Sequence, residues 1–404
     1  MPSGAALGER ADRVAGPIPA QPLDGGGGTT RSDSVIADSG SDKTYMKMHD
    51  GEIDLDADMV GRLVAGQFPE LADLPVSAFP STGTVNAIYR LGERLCVRLP
   101  RVEAWSRALE REWRWLPALA PFLSMRVPEP AGMGEPTSDY PYSWAIYRWI
   151  DGQPYSAELI DDERQAADDL AGFVAGLREV PLTADAPLAG RKPLSELDAS
   201  TRAAIERARA VIDSDAVLSA WELALQAPPW AGTPSPHGLP VWIHTDLLPP
   251  NLLVRDGRLA GVIDFGGVGV GDPAADLIAA WSVFGPSGRE RFREALDVDD
   301  GMWHRARGYA LHQAALIIPY YAVTNPGFVA MAKRTIAEVL RSVLVGRAKF
   351  CRSLARLVQC GGHHVRGLAR RGEALDHLDD PEVWIQAGAG RDVPVLALHD
   401  QQAR

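Results

Sequence analysis

The chain has 404 residues, 46% of them hydrophobic, which is enough for about two domains with full cores and excludes a disordered or disulfide-stapled protein. Its formal charge of −12 argues against non-specific binding to DNA or RNA, which depends on Lys and Arg neutralising phosphates. Three cysteines in no framework spacing suit a reducing cytoplasm, and no apolar run reaches the eighteen residues that a membrane span needs.

Residues 1–45 are rich in Gly, Pro, Ser and Asp without hydrophobic periodicity, and are expected to be a disordered N-terminal extension. Val60, Leu63 and Val64 at helical spacing, behind Asp56 as a cap, predict a first helix. Strand-like runs follow at Leu74 to Phe79, Ala87 to Leu91 and Leu95 to Leu99, the last two flanking a turn at Gly92-Glu93. A helix is expected from Glu103 to about Leu119, then an aromatic strand from Trp144 to Ile150. After Asp151-Gly152 the pattern turns helical: Leu170, Phe173, Val174 and Leu177 mark one amphipathic face. Further helices are expected at 198–212, 215–226, 273–284, 288–296, 301–318 and 328–345, with 227–240 a loop by its Pro and Gly content.

The densest chemistry lies in the stretch from Trp242 to Leu277. His244, Asp246 and Asn251 form an H-x-D-x-x-x-x-N array, and Asp264 follows thirteen positions after Asn251 in an Ile-Asp-Phe-Gly run. Between them, apolar residues flank Asp256-Gly257, a strong hairpin signal because both turn positions tolerate positive φ. Such a hairpin brings Asn251 at its entrance close to Asp264 at its exit. A free carboxylate beside an amide–carboxylate pair suits phosphoryl transfer. A metallophosphoesterase also uses His, Asp and Asn, but needs several histidines on separate loops, and this region supplies only His244 and His237.

The array resembles the catalytic and metal-binding loops of the aminoglycoside phosphotransferase and choline-kinase-like family, relatives of the protein kinases. The run from Gly271 to Leu277, G-D-P-x-x-D-L, resembles the same family, and the likeness covers roughly residues 50–345. It implies an α+β, two-lobed protein-kinase-like fold: a small mainly-β N-lobe at 46–150, a helical C-lobe at 151–346, and an atypical extension at 347–404. It further implies Asp246 as catalytic residue, with Asn251 and Asp264 as magnesium ligands and His244 as a packed orienter of the loop. On the nucleotide side it implies Ser81, Thr82, Gly83 and Thr84 as the loop over the ATP phosphates. Arg98 is the expected phosphate-binding cation, with Glu112 as its partner and Glu110 the fallback. Backbone groups of Arg148 and Ile150 are expected at the adenine edge.

The implied activity is Mg-ATP-dependent transfer to a hydroxyl of a small molecule. Only seven residues separate Asp264 from Asp272, too few for a long phosphorylatable activation loop. Asp161, Asp162, Glu163, Asp168 and Asp169 are candidates for holding a polycationic aminoglycoside, and the run from Ile317 to Tyr321 for lining a pocket for a less polar alcohol. Cys351, Cys360, His363 and His364 fit no standard zinc spacing. The family commonly has Gly where Thr245 and Pro250 stand. Pro250 biases Pro249 away from helical angles, so a displaced Asn251 is the expectation there, and with it an alternative function as a nucleotide-binding pseudoenzyme.

Overall fold

The computed structural model describes residues 52–80, 86–230 and 240–360, with side chains placed as far as residue 344. The expectations for residues 1–45, for Ser81, Thr82, Gly83 and Thr84, and for the cysteines and histidines beyond 350 fall outside that description. The chain divides into a unit ending at Val343 and another beginning at Leu344.

Within the first unit, one lobe is built on a sheet. Helix α1 (Ala57–Gln67) starts at Asp56, whose carboxylate accepts from the Met59 N–H at 2.7 Å. Its buried Val60, Leu63 and Val64 pack on a five-stranded antiparallel sheet. The strands are β1 (Val76–Ala78), β2 (Asn86–Leu91), β3 (Leu95–Pro100), β4 (Pro130–Gly134) and β5 (Trp144–Arg148), in the order β1-β2-β3-β5-β4. The β2–β3 turn uses Gly92 at φ 60, as its sequence predicted. Helix α2 (Glu103–Leu119) buries Leu109, Trp115, Leu116 and Leu119 in the core of the other lobe, which ties the two together.

That other lobe is helical around a small β insert. Strand β6 (Gln153–Pro154) precedes α3 (Glu163–Glu179), α4 (Leu194–Ala208) and α5 (Ser214–Leu225). The insert comprises β7 (Val241–Ile243), β8 (Leu252–Arg255), β9 (Arg258–Val262) and β10 (Gly269–Gly271). The β8–β9 turn places Asp256 at φ 51 and Gly257 at φ 76, the hairpin geometry that an Asp-Gly pair favours. Beyond it come α6 (Ala279–Ser282), α7 (Pro286–Ala295), α8 (Asp300–Tyr320) and α9 (Pro326–Cys360). The fold is the two-lobed kinase-like α+β architecture expected.

Two elements depart from expectation. The helix predicted at 273–284 is a 3-10 turn over Pro273–Ile278, capped by the Asp272 carboxylate on the Ala274 N–H, followed by the single turn of α6. Helix α9 continues to Cys360, well past 345, since residues 347–360 contain neither Pro nor Gly.

The C-lobe core also holds a neutral histidine. His312 in α8 is 5% exposed, its Nδ1 lies 2.8 Å from Thr201 Oγ1, and burial followed by nearby Arg191 pushes its pKa down to about 3. Between that value and the ordinary 6.5 the unfolded chain binds a proton that the native one does not, so stability falls with falling pH in this window. His312→Gln is expected to remove that contribution, so that the pH-dependent loss between pH 7.5 and 5 shrinks by about 2 kcal/mol in urea unfolding. Equal slopes for variant and wild type refute it.

Candidate active site

The residues singled out by sequence converge on a cleft of about 330 Å³ between the lobes. Its walls include Asn86, Arg98, Tyr147, Ile150, Asp246, Asn251, Asp264 and Tyr321.

On the N-lobe side, Arg98 sits in the middle of β3 with its guanidinium turned to α2. Its Nη1 reaches both carboxylate oxygens of Glu112 at 2.9 and 2.8 Å, and its Nη2 reaches Asp264 Oδ1 at 2.5 Å. Glu112 is fully buried and also accepts from the Phe265 N–H at 2.7 Å. Glu110 is instead engaged by Ser143, so Glu112 is the partner of Arg98. Asn86, its amide oxygen turned toward Arg98, accepts from Nη2 and Nε at 2.8 and 2.9 Å. Burial works against charge on Arg98, but Glu112 and Asp264 outweigh it and hold the pKa above its ordinary value. Burial likewise opposes charge on Asp264, and Arg98 overrides it to keep the carboxyl below its usual range.

On the C-lobe side, the catalytic-loop candidates are held from beneath. Asp276 is completely buried and accepts from the N–H groups of His244 and Thr245 at 2.8 and 2.7 Å. His244 is also completely buried and packs edge-on to Phe265 with ring centres 4.6 Å apart. Its Nε2 lies 3.1 Å from the Ile263 carbonyl, which only accepts, while Nδ1 takes the Asp246 N–H at 3.3 Å. The proton therefore sits on Nε2, and burial pushes the pKa down to about 4, so His244 is a neutral packed orienter.

Thr245 has φ 76, the left-handed region that costs an ordinary side chain about 1–2 kcal/mol. A Gly would take that conformation without strain. At Pro250 both prolines enter a 3-10 turn over Pro249–Asn251, closed by the Asn251 N–H on the Leu248 carbonyl at 2.9 Å. The conformational bias on Pro249 is overridden by this turn. Asn251 Nδ2 then donates to the main-chain oxygen and Oδ2 of Asp246 at 2.9 and 2.8 Å, which turns the amide oxygen away from Asp246. Burial, then Asp264, pushes the Asp246 pKa up to about 6.

Both residues expected at the adenine edge, Arg148 and Ile150, line the cleft. The Arg148 N–H donates to the Glu129 carbonyl at 2.9 Å and its guanidinium pairs with the Glu129 carboxylate at 2.7 Å, so the sheet has taken that N–H. Sequence reading missed Asn86, Gln313 and Arg191, and it gave Asp276 no role although it noted the motif containing it. Only Asp276 had a local signal. Tyr321, from the run proposed to line a pocket, does line the cleft, together with Phe328. Ile317 and Ile318 belong to the core.

The chain matches the model of APH, the phosphotransferase enzyme family, over residues 78–311, more than half its length. The chain belongs to that family. The match spans the cleft-lining strands, α2 and the whole of the Trp242–Leu277 stretch. Among solved structures, the chain is similar to the GDP complex of wild-type aminoglycoside 2'-phosphotransferase-IIIa, at 17% identity and a TM-score of 0.54, over 71% of this chain and 99% of that one. It is also similar to the GDP and kanamycin complex of APH(2")-IIia, at 18% identity and 0.54, over 70% and 99%. At such identities the likeness is one of fold. No curated protein sequence matches the chain.

Two substitutions test this architecture. Glu112→Ala removes the buried partner of both Arg98 and the Phe265 N–H and is expected to cost about 3 kcal/mol in denaturant unfolding, whereas less than about 1 kcal/mol is the surface-pair result that refutes a buried anchor. A Cβ at Gly267 would lie 2.3 Å from Thr245 Oγ1, so Gly267→Ala should lower Tm. Adding Thr245→Gly should restore it, and a double variant no more stable than Gly267→Ala alone refutes the clash.

Proposed function

We propose that the protein is an ATP-dependent small-molecule kinase that transfers the γ-phosphoryl group to a hydroxyl acceptor. The observation that carries this reading is the meeting, in one cleft, of Arg98 braced by Glu112, of Asp264, and of Asp246 held by Asn251. Arg98 offers a planar fork to phosphate oxygens. Ser81, Thr82, Gly83 and Thr84 remain proposed as the loop over them, and Arg148 and Ile150 as the backbone contacts to the purine.

Asn251 Oδ1 and the Asp264 carboxylate would hold magnesium, being the oxygen donors that this hard cation takes. Among the described residues no group of three His, Cys, Asp or Glu side chains forms a cage, which suits an ion completed by substrate phosphates and water. Magnesium, when bound, neutralises charge on the transferring phosphate. Asp246 accepts the proton of the attacking hydroxyl and orients it. Its pKa near 6 leaves it ionised at neutral pH yet close enough to take up a proton. The undisturbed contact between Asn251 and Asp246 favours turnover over a pseudoenzyme.

A small acceptor is supported by the segment after Asp264. It is used up by the 3-10 turn Phe265–Gly267, β10 and Asp272, whose carboxylate accepts from the Ala274 N–H at 3.0 Å. The acidic candidates for a polycation are largely spent elsewhere. Asp162 caps α3, Glu163 accepts from Gly285 and Gly288, and Asp168 and Asp169 pair with Arg291 and Arg258. Leu248, Pro250, Tyr321 and Phe328, which line the same cleft as Asp246, favour a less polar alcohol.

Asp246→Asn is expected to cut transfer at least about a hundredfold while nucleotide affinity by calorimetry changes little. The assay takes Mg-ATP and Mg-GTP against a panel of macrolides, aminoglycosides, choline and amino alcohols. Full transfer by Asp246→Asn, or nucleotide binding without transfer across the panel, refutes the reading.

A further inference from the structure

Behind the catalytic-loop candidate Asp246 lies a second line of contacts that no sequence motif announces. Gln313 is 7% exposed in α8, and its Nε2 lies 2.5 Å from Asp246 Oδ1. Its Oε1 accepts from Arg191 Nη2 at 2.8 Å. Arg191 also donates from Nη2 and Nε to the carbonyl of Thr245, at 2.5 and 3.2 Å. The left-handed Thr245 thus offers both faces of its backbone: its N–H goes to Asp276 and its carbonyl to Arg191.

The chemistry of the three groups fixes their orientation. A guanidinium only donates and a carboxylate only accepts. An amide between them must turn its oxygen to Arg191 and its nitrogen to Asp246. Arg191 therefore determines which end of Gln313 meets the carboxylate. With Gln313 on Oδ1 and Asn251 on Oδ2, the carboxylate of Asp246 is gripped at both oxygens and its rotamer is set.

The delivery of Arg191 is itself built into the fold. The segment before it pairs with β10, through the Ala189 N–H on the Val270 carbonyl at 2.9 Å and the Val270 N–H on the Pro187 carbonyl at 2.8 Å. A Cβ at Gly269 would lie 2.6 Å from the Ala189 nitrogen, so only glycine admits this approach.

We infer that Gln313, oriented by Arg191, is a positioning residue that holds Asp246 toward the acceptor side of the cleft for phosphoryl transfer. The inference rests on the kinase reading above and concerns how the carboxylate is aimed, which is where small displacements cost most. Nucleotide contacts lie elsewhere, on Arg98 and Asp264, so the relay governs the transfer step and not nucleotide binding.

The test uses the full chain with Mg-ATP, water as the acceptor, and phosphate release as the signal, repeated with any panel alcohol that wild type phosphorylates. Gln313→Leu is expected to lower kcat by about tenfold to a hundredfold, with KM for Mg-ATP within about twofold of wild type. Gln313→Glu keeps the size and the Arg191 contact but removes the donor, and should lose kcat likewise. It stands in should the leucine variant fail to fold. Adding Arg191→Met to Gln313→Leu should cost less than the two single losses combined, because the Gln313 contact is common to both, the remainder being Arg191's own bonds to the Thr245 carbonyl. A Gln313 variant with unchanged kcat, a loss appearing in KM instead, or fully additive losses in the double variant each overturn the inference. A wild-type protein that turns over Mg-ATP with neither water nor any panel alcohol overturns the kinase reading itself, and the inference with it.

Discussion

A single guanidinium joins the two lobes at the cleft. Arg98 comes from the N-lobe sheet, Glu112 from the helix packed beneath that sheet, and Asp264 from the exit of the C-lobe hairpin. Glu112 closes the circuit by accepting from the backbone of Phe265, the residue next to Asp264. Taking such charges out of water is costly, and the arrangement holds because both Arg98 and the Phe265 N–H hydrogen-bond to the buried carboxylate of Glu112. What this group contributes is definition. It fixes where β3, α2 and the Asp264 turn stand relative to one another, and hence the shape of the cleft.

The C-lobe half of the site follows the same rule with a different device. Asp276 replaces two solvent contacts of the His244–Thr245 backbone with its own carboxylate, and burial pushes its pKa up to about 6 even against those two N–H donors. The loop above it is consequently drawn into a left-handed kink at Thr245. Local backbone strain and a buried acid are thus spent on the same segment, the one that carries Asp246. Strain is retained where the surrounding contacts over-determine it.

How much of this could be read from the residues depends on how local the cause was. The Asp256-Gly257 hairpin, the α1 cap and the α2 helix each follow from neighbours in sequence, and their positions came out close to expectation. The pairing of Arg98 with Glu112 rested on a resemblance, and the geometry matches it. The Pro249-Pro250 turn was not legible, since Pro249 enters a 3-10 turn despite the bias that a following proline imposes. Gln313 stands 67 positions from Asp246, and Arg191 stands 54 from Thr245 and 122 from Gln313, on an ordinary-looking helix and loop. Nothing in a one-dimensional pattern brings them to Asp246. The cleft's aromatic wall was half legible: Tyr321 was in a flagged run, whereas Phe328 sits beyond the α8–α9 turn.

The contact between Arg98 and Asp264 has a thermodynamic corollary under the proposed function. Asp264 has Arg98 as a counter-ion, and Arg98 shares its charge between Asp264 and Glu112. A phosphate arriving alone would draw Arg98 off and leave a carboxylate short of a partner, and a divalent cation arriving alone would do the converse. Only the two together exchange one internal ion pair for two matched external ones. Metal and nucleotide affinities are then linked, each raising the other by the same factor. The protein would register the coincidence of its two inorganic charges before any acceptor is engaged.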